Sequence, residues 1–215
     1  MRRDQINAGI GIFIIIIIFL ITSSFVQNNL EYIKSLIDFG LISMIIFVLI
    51  LIIAVVIVPF NAVPLFPIAS NIFGWLLTAI LSIVGWTIGA LIAFGLARKY
   101  GVILIKKFIS LEQIGKYEKL IPEENIFWSI VFLRIAVPVD ILSYVLGVFS
   151  RIKFRTYAIA TLLGIIPGAF AFSYVGTLEL RFQIIAFLIA MMILSIGYLV
   201  KLLRKKYKKK MMVFR

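Results

Sequence analysis

The sequence predicts an all-α polytopic membrane protein built as an inverted-topology repeat. Each half is a re-entrant hairpin plus a transmembrane helix, and further transmembrane helices flank the pair at the N- and C-terminal ends. Three observations carry this. The 215 residues are 63% hydrophobic and 14% charged, against roughly 45–50% and about 25% in soluble domains. Several apolar runs reach the roughly 20 residues that cross a bilayer. The basic residues fall on one side of the membrane only if two proline-bearing segments enter and leave on the same face.

The first apolar run, 8–26, follows a basic start and could pass for a signal peptide. It is long, and no A-x-A-like site follows it closely, so it reads as a retained first span. Segment 41–74 is apolar but carries Pro59, Pro64 and Pro67 in its second half, which argues for a broken hairpin. Segment 75–97 is a clean span. Residues 102–121 place apolar side chains three or four apart (Leu104, Phe108, Leu111, Ile114, Tyr117, Ile121), with lysines and glutamates between them. This spacing predicts an amphipathic helix lying on the membrane surface. Segment 126–149 is greasy except for Arg134, Pro138 and Asp140, and is the second hairpin. Spans at 156–178 and 184–203 follow, and 204–215 is a basic tail suited to an anionic inner leaflet.

Charge decides the topology. With both awkward segments re-entrant, nineteen of the 22 basic residues face one side, only Lys34 and Arg181 face the other, and Arg134 stays within the membrane. If 126–149 crosses, the strip 151–155 and the tail change sides. If 41–74 crosses once, the basic 98–125 loop does. The positive-inside rule therefore selects two hairpins of opposite entry, with both termini cytoplasmic. A binding site is then expected near the midplane where the halves meet. Internal similarity is weak: proline, a polar residue and glycine recur as Pro67, Asn71, Gly74 and as Pro138, Asp140, Gly147, and each following span has two small residues four apart, Gly85 with Gly89 and Gly164 with Gly168. Close helix packing explains these glycines. Pro167 is expected to kink its span.

Composition also excludes functions. There is no cysteine and no histidine, which removes thiolate chemistry, the commonest metal ligand and the commonest general base. No enzyme activity, metal or cofactor is expected. The net charge of +13 reads as membrane orientation, not as nucleic-acid binding.

The chemistry-bearing residues lie in the second hairpin. A charge at bilayer depth costs at least a few kcal/mol, so Arg134 and Asp140 must face protein, water or each other. Broken backbone at Pro138 is tolerated at that depth only where it is buried in protein or lines a cavity. The arrangement fits a substrate site; an ordinary span holding one ion pair is the alternative. Arg98 is either the inner mouth of a path or an anchor reaching the interface.

The stretches 73–101 and 132–176 resemble the DedA superfamily, also called the VTT-domain or SNARE-associated Golgi protein family, and are closest to its Golgi-vesicle branch. The resemblance rests on Phe94, Arg98 and Gly101, then on Arg134, Pro138, Asp140, Gly147, Gly164, Pro167 and Gly168. It implies translocation of a phosphate-bearing lipid such as undecaprenyl phosphate or a phospholipid, in the plasma membrane of a prokaryote. The partners would be anionic lipid headgroups and, where transport is proton-linked, protons. DedA proper has an acidic residue in its first hairpin. Here that hairpin has no acid, and Asn61 and Asn71 are its most polar side chains, which puts undecaprenyl phosphate specificity and proton coupling through two carboxylates in doubt. Arg134 would grip phosphate with its planar fork. Asp140 would take a proton when phosphate displaces it, or would hold a permanent salt bridge. The rival classes are a non-transporting scaffold and a small-ion carrier with an enclosed site.

Overall fold

The computed structural model describes residues 2–36, 40–57, 61–105, 125–136, 139–150, 152–193 and 195; residues 2–8, 12, 102–105, 136 and 139–141 are described for their backbone alone. The described residues are helical or lie in turns between helices, with no strand among them. Two units are distinguished, Met1–Thr177 and Leu178–Arg215.

In the first unit the helices are α1 (Arg2–Asn28), α2 (Leu30–Leu36), α3 (Leu41–Val56), α4 (Phe66–Phe73), α5 (Trp75–Ile105), α6 (Ile126–Ala136), α7 (Val139–Phe149) and α8 (Phe154–Thr177), with a 3₁₀ turn at Val63–Leu65 before α4. Three stretches are long and apolar enough to cross a bilayer: Gly9–Asn28, Trp75–Gly101 and Phe154–Thr177. A bent pair, Leu30–Leu36 with Leu41–Val56, turns through 99°. Side chains such as Phe13, Ile21 and Phe25 on α1, and Ile42, Ile46 and Ile53 on α3, stay exposed. Exposed apolar surface of this extent is what a lipid-facing helix carries.

Where the chain breaks, local chemistry shows why. Asn61 Oδ1 accepts from the Val63 backbone N–H at 2.9 Å, an Asx turn that starts the 3₁₀ segment. Pro64 then falls at the beginning of that segment and Pro67 in the first turn of α4, where a missing N–H costs nothing. Gly74 separates α4 from α5 with φ 80° and Gly101 interrupts α5 with φ 63°; both angles favour glycine. The span Trp75–Gly101 is about 40 Å long at 1.5 Å per residue, enough for the roughly 30 Å hydrocarbon layer. Helix α8 is continuous across Pro167, whose ring is exposed.

The two broken segments dock in a matching way. Helices α3 and α6 pack on the spans that follow them, α5 and α8. Helices α4 and α7 pack on the other segment's span, α8 and α5, and α5 packs on α8. Glycines set the close approaches. A methyl built on Gly85 would lie 2.9 Å from Leu51 Cβ, and one on Gly89 2.8 Å from Val55 Cβ. On α8, a methyl on Gly164 would lie 2.6 Å from Arg134 Cβ. Gly168 has open space around it among the described residues. Aromatic rings fill the first docking: Phe66 of α4 lies 5.2 Å from Trp86 and 5.8 Å from Phe172 between ring centroids. The Tyr144 hydroxyl of α7 donates to the Val56 carbonyl at the end of α3, 2.6 Å away, and ties the two segments together near their breaks.

The segment expected as a surface amphipathic helix, 102–121, lies outside the described residues from 106 onward. In the second unit, helix α9 (Leu180–Ile193) covers the start of the span expected at 184–203; 194 and 196–215, the basic tail among them, lie outside the described residues. Gln183 Nε2 donates to the Leu178 carbonyl at 2.8 Å, and Arg181 pairs with Glu179 at 2.8 Å on the exposed surface.

Candidate functional site

Arg134 sits in the last turn of α6 and is 5% exposed. Gly164 lets α6 lie against α8 at this level, so the arginine stem runs over a bare stretch of backbone. Its Nη2 group donates to three hydroxyl oxygens: Tyr157 at 2.5 Å, Ser143 at 3.0 Å and Thr161 at 3.2 Å. Tyr157, Thr161 and Gly164 share one face of α8 by their helical spacing. Ser143 comes from α7, so α6, α7 and α8 all converge on one guanidinium. The Tyr157 hydroxyl in turn donates a hydrogen bond to the Ala90 carbonyl of α5, 3.1 Å away.

These three bonds join a cation to neutral oxygens. A phosphate oxygen is an anion and forms a charge-assisted bond roughly twice as strong. It can therefore displace a hydroxyl at a gain, and the hydroxyl can turn to donate to another phosphate oxygen. The chemistry available is anion capture at a low-dielectric depth, where each such bond is strengthened.

The other residues singled out from the sequence have separate partners. Arg98 lies at the far end of α5 from Gly74, and its donors go to three backbone carbonyls at the exit of α7: Nε to Gly147 at 3.4 Å, Nη1 to Ile152 at 2.7 Å and Nη2 to Ser150 at 2.6 Å. Gly147 is where α7 touches α5, since a methyl there would lie 2.6 Å from both Ala97 Cβ and the Phe94 carbonyl. Asn71 Nδ2 donates to Pro67 at 2.8 Å and to Gly176 of α8 at 3.0 Å, while Asn61 is engaged in its Asx turn. The structure thus gathers hydroxyls around Arg134, and it places Arg98, Asn61 and Asn71 elsewhere. Asp140 lies in the first turn of α7; its side chain and Pro138 lie outside the description.

The family model for the VTT domain matches residues 48–178, more than half of the chain. The chain belongs to the VTT domain family. VTT-domain proteins, the DedA and SNARE-associated group, are membrane proteins proposed as transporters or flippases and are generally not enzymes. Neither a curated protein nor a solved structure matches this chain. Within the VTT domain the residues that carry the resemblance fall largely on one joint. Phe94 and Arg98 belong to the α5 side of it, Gly147 to the α7 side, and Gly164 and Arg134 to the contact between α8 and α6. Sequence reasoning missed Ser143, Tyr157 and Thr161. Tyr157 and Thr161 were signalled by lying seven and three residues before Gly164 on one helical face; Ser143 had no such signal.

Proposed function

We propose that this VTT-domain protein carries a phosphate-bearing lipid, a phospholipid or a polyprenyl phosphate, across the membrane with Arg134 as its headgroup ligand. The single observation behind this is a buried guanidinium held by three hydroxyls at a helix break. A lipid phosphate crossing hydrocarbon needs such a cation, while its tails stay in the bilayer. Arg134 is nearly covered, so a headgroup reaches it only when the surrounding helices part.

In this reading 41–74 and 126–149 are re-entrant hairpins of an inverted repeat, with both termini cytoplasmic in a prokaryotic plasma membrane. The crossed docking of α3, α4, α6 and α7 supports it, as does a shared sequence register. Ala79-Ile80-x-Ser82-x-x-Gly85-x-x-x-Gly89-Ala90 on α5 recurs on α8 as Ala158-Ile159-x-Thr161-x-x-Gly164-x-x-x-Gly168-Ala169. The same interval separates Pro59 from Pro138 and Asn61 from Asp140, a pairing that replaces the Pro67–Pro138 match. The halves are not equal. Leu51 sits against Gly85 where Arg134 sits against Gly164, so the first half carries no cation at that seat. The branch of the family is read as the Golgi-vesicle type, from Phe94, Arg98 and Gly101 followed by Arg134, Pro138, Asp140, Gly147, Gly164, Pro167 and Gly168.

Purified protein in vesicles with labelled lipids tests the reading. Wild type should move a phosphate-bearing lipid, and Arg134→Ala should abolish the movement while the protein stays folded. A wild type that moves none points to a scaffold; movement of a small ion alone points to an ion carrier.

A further inference from the structure

Arg98 and Arg134 are joined by a column of rings. The Arg98 Cζ lies 4.4 Å from the centroid of the Phe94 ring. Phe94 is stacked on Tyr157 with centroids 3.8 Å apart and an angle of 13° between the planes. A ring at that distance fills one face of Phe94, so the Arg98 guanidinium occupies the other. Arg134 then meets Tyr157 at its hydroxyl, with Cζ 5.5 Å from the ring centroid. Phe94 and Tyr157 are fully buried. The column has no slack along its length, because buried rings are close-packed and cannot slide without opening a void. Its far end is fixed as well, since Arg98 spends its donors on the Gly147, Ser150 and Ile152 carbonyls.

We propose that Phe94, Tyr157 and Arg98 are positioning residues for the Arg134 headgroup site, and that Arg98 acts as a clasp on the exit of α7 and not as a lipid ligand. The clasp holds the Gly147 carbonyl in the last turn of α7, left unpaired by the helix end, and the Ser150 and Ile152 carbonyls just beyond it. It also presses Phe94 onto Tyr157. Tyr157, anchored at Ala90, holds the Arg134 fork where phosphate would meet it. A planar guanidinium serves several carbonyls and a ring face together, which a lysine ammonium does not. This proposal rests on the lipid-carrier reading only for its second test below.

The first test needs no substrate. Uniform ¹⁵N-arginine labelling of the full-length protein in detergent micelles should give resolved side-chain Nη signals for Arg98 and Arg134, assigned by their loss in Arg98→Lys and Arg134→Lys. Phe94→Leu and Arg98→Ala should broaden or shift the Arg134 signals, and Phe94→Tyr should leave them in place. Should Phe94→Leu fail to fold, Tyr157→Phe keeps the ring stack and removes only the hydroxyl, and it should produce the same shift. Unchanged Arg134 signals in Arg98→Ala and Tyr157→Phe overturn the proposal. The second test uses vesicles of phosphatidylglycerol and phosphatidylcholine with a labelled phosphatidylglycerol. Tyr157→Phe should raise the half-saturating lipid fraction about tenfold, the worth of one hydrogen bond to a charged group, with the maximal rate within about twofold of wild type. Arg98→Ala should do the same without changing headgroup preference; a changed preference makes Arg98 a ligand and overturns the clasp. If wild type moves no lipid, the carrier reading falls and the arginine signals still decide the positioning.

Discussion

Arg134 concentrates the energetics of this molecule. A buried arginine is tolerable in a membrane domain because its Nη2 group finds hydroxyl oxygens, and removing the guanidinium takes that donor from Ser143, Tyr157 and Thr161. Arg134→Lys should retain part of the transport, because charge survives and the fork does not; full activity in Arg134→Ala, measured in the same vesicles, would remove the residue from the site. The glycine facing it gives a sharper test of packing. Gly164→Ala forces a methyl to 2.6 Å from Arg134 Cβ and 3.0 Å from the Val131 carbonyl. Overpacking of this kind costs about 1–3 kcal/mol, so the variant should unfold at lower temperature in detergent. Gly168→Ala, with open space among the described residues, should match wild type in the same melt. Asp140 stands as the carboxylate proposed to position Arg134. On that view Asp140→Asn should weaken lipid movement equally with and without a pH gradient, and selective loss of the gradient-driven part would make it the coupling acid instead.

Among the elements, the broken segments are held by few polar contacts and many small-residue approaches. Helix α7 is the example. One face meets α5 at Gly147, Arg98 grips its exit, and the Tyr144 hydroxyl reaches across to α3. Tyr144→Phe should cost about 1 kcal/mol, the net worth of an intramolecular hydrogen bond, read as a small drop in melting temperature with the stack of Phe94 and Tyr157 untouched. In the first segment the interruption was legible, because Pro64 and Pro67 suit helix starts and not helix interiors. The partners of the broken pieces were not, since the backbone's proline rules say where a helix stops and nothing about which helix it then meets.

For the whole molecule, the proposed topology makes a labelling prediction. The chain has no cysteine, so single cysteines at Lys119 and at the exposed Lys153 report sides directly. Both should react with an impermeant thiol reagent from the cytoplasmic face only. Reaction from opposite faces would make 126–149 a full span and dissolve the inverted repeat. The charge count behind this prediction holds because moving either broken segment across the bilayer carries a basic loop with it.

Composition and periodicity by themselves determined that this is a helical membrane protein, that the stretches near 8–26, 75–97 and 156–178 are long and apolar enough to cross, and that a cation lies within the apolar run 126–149. Those properties depend on transfer free energy and on local backbone sterics, and both are written in the order of residues. Only the tertiary structure decided what surrounds that cation. Ser143 on α7 and Tyr157 with Thr161 on α8 converge on Arg134 because Gly164 admits α6 so closely, and Arg98 turns to the carbonyls at and just beyond the end of α7 because Gly147 brings that helix against α5. Contacts between residues far apart in the chain follow from how helices pack, a property of the assembled surfaces that local spacing does not encode.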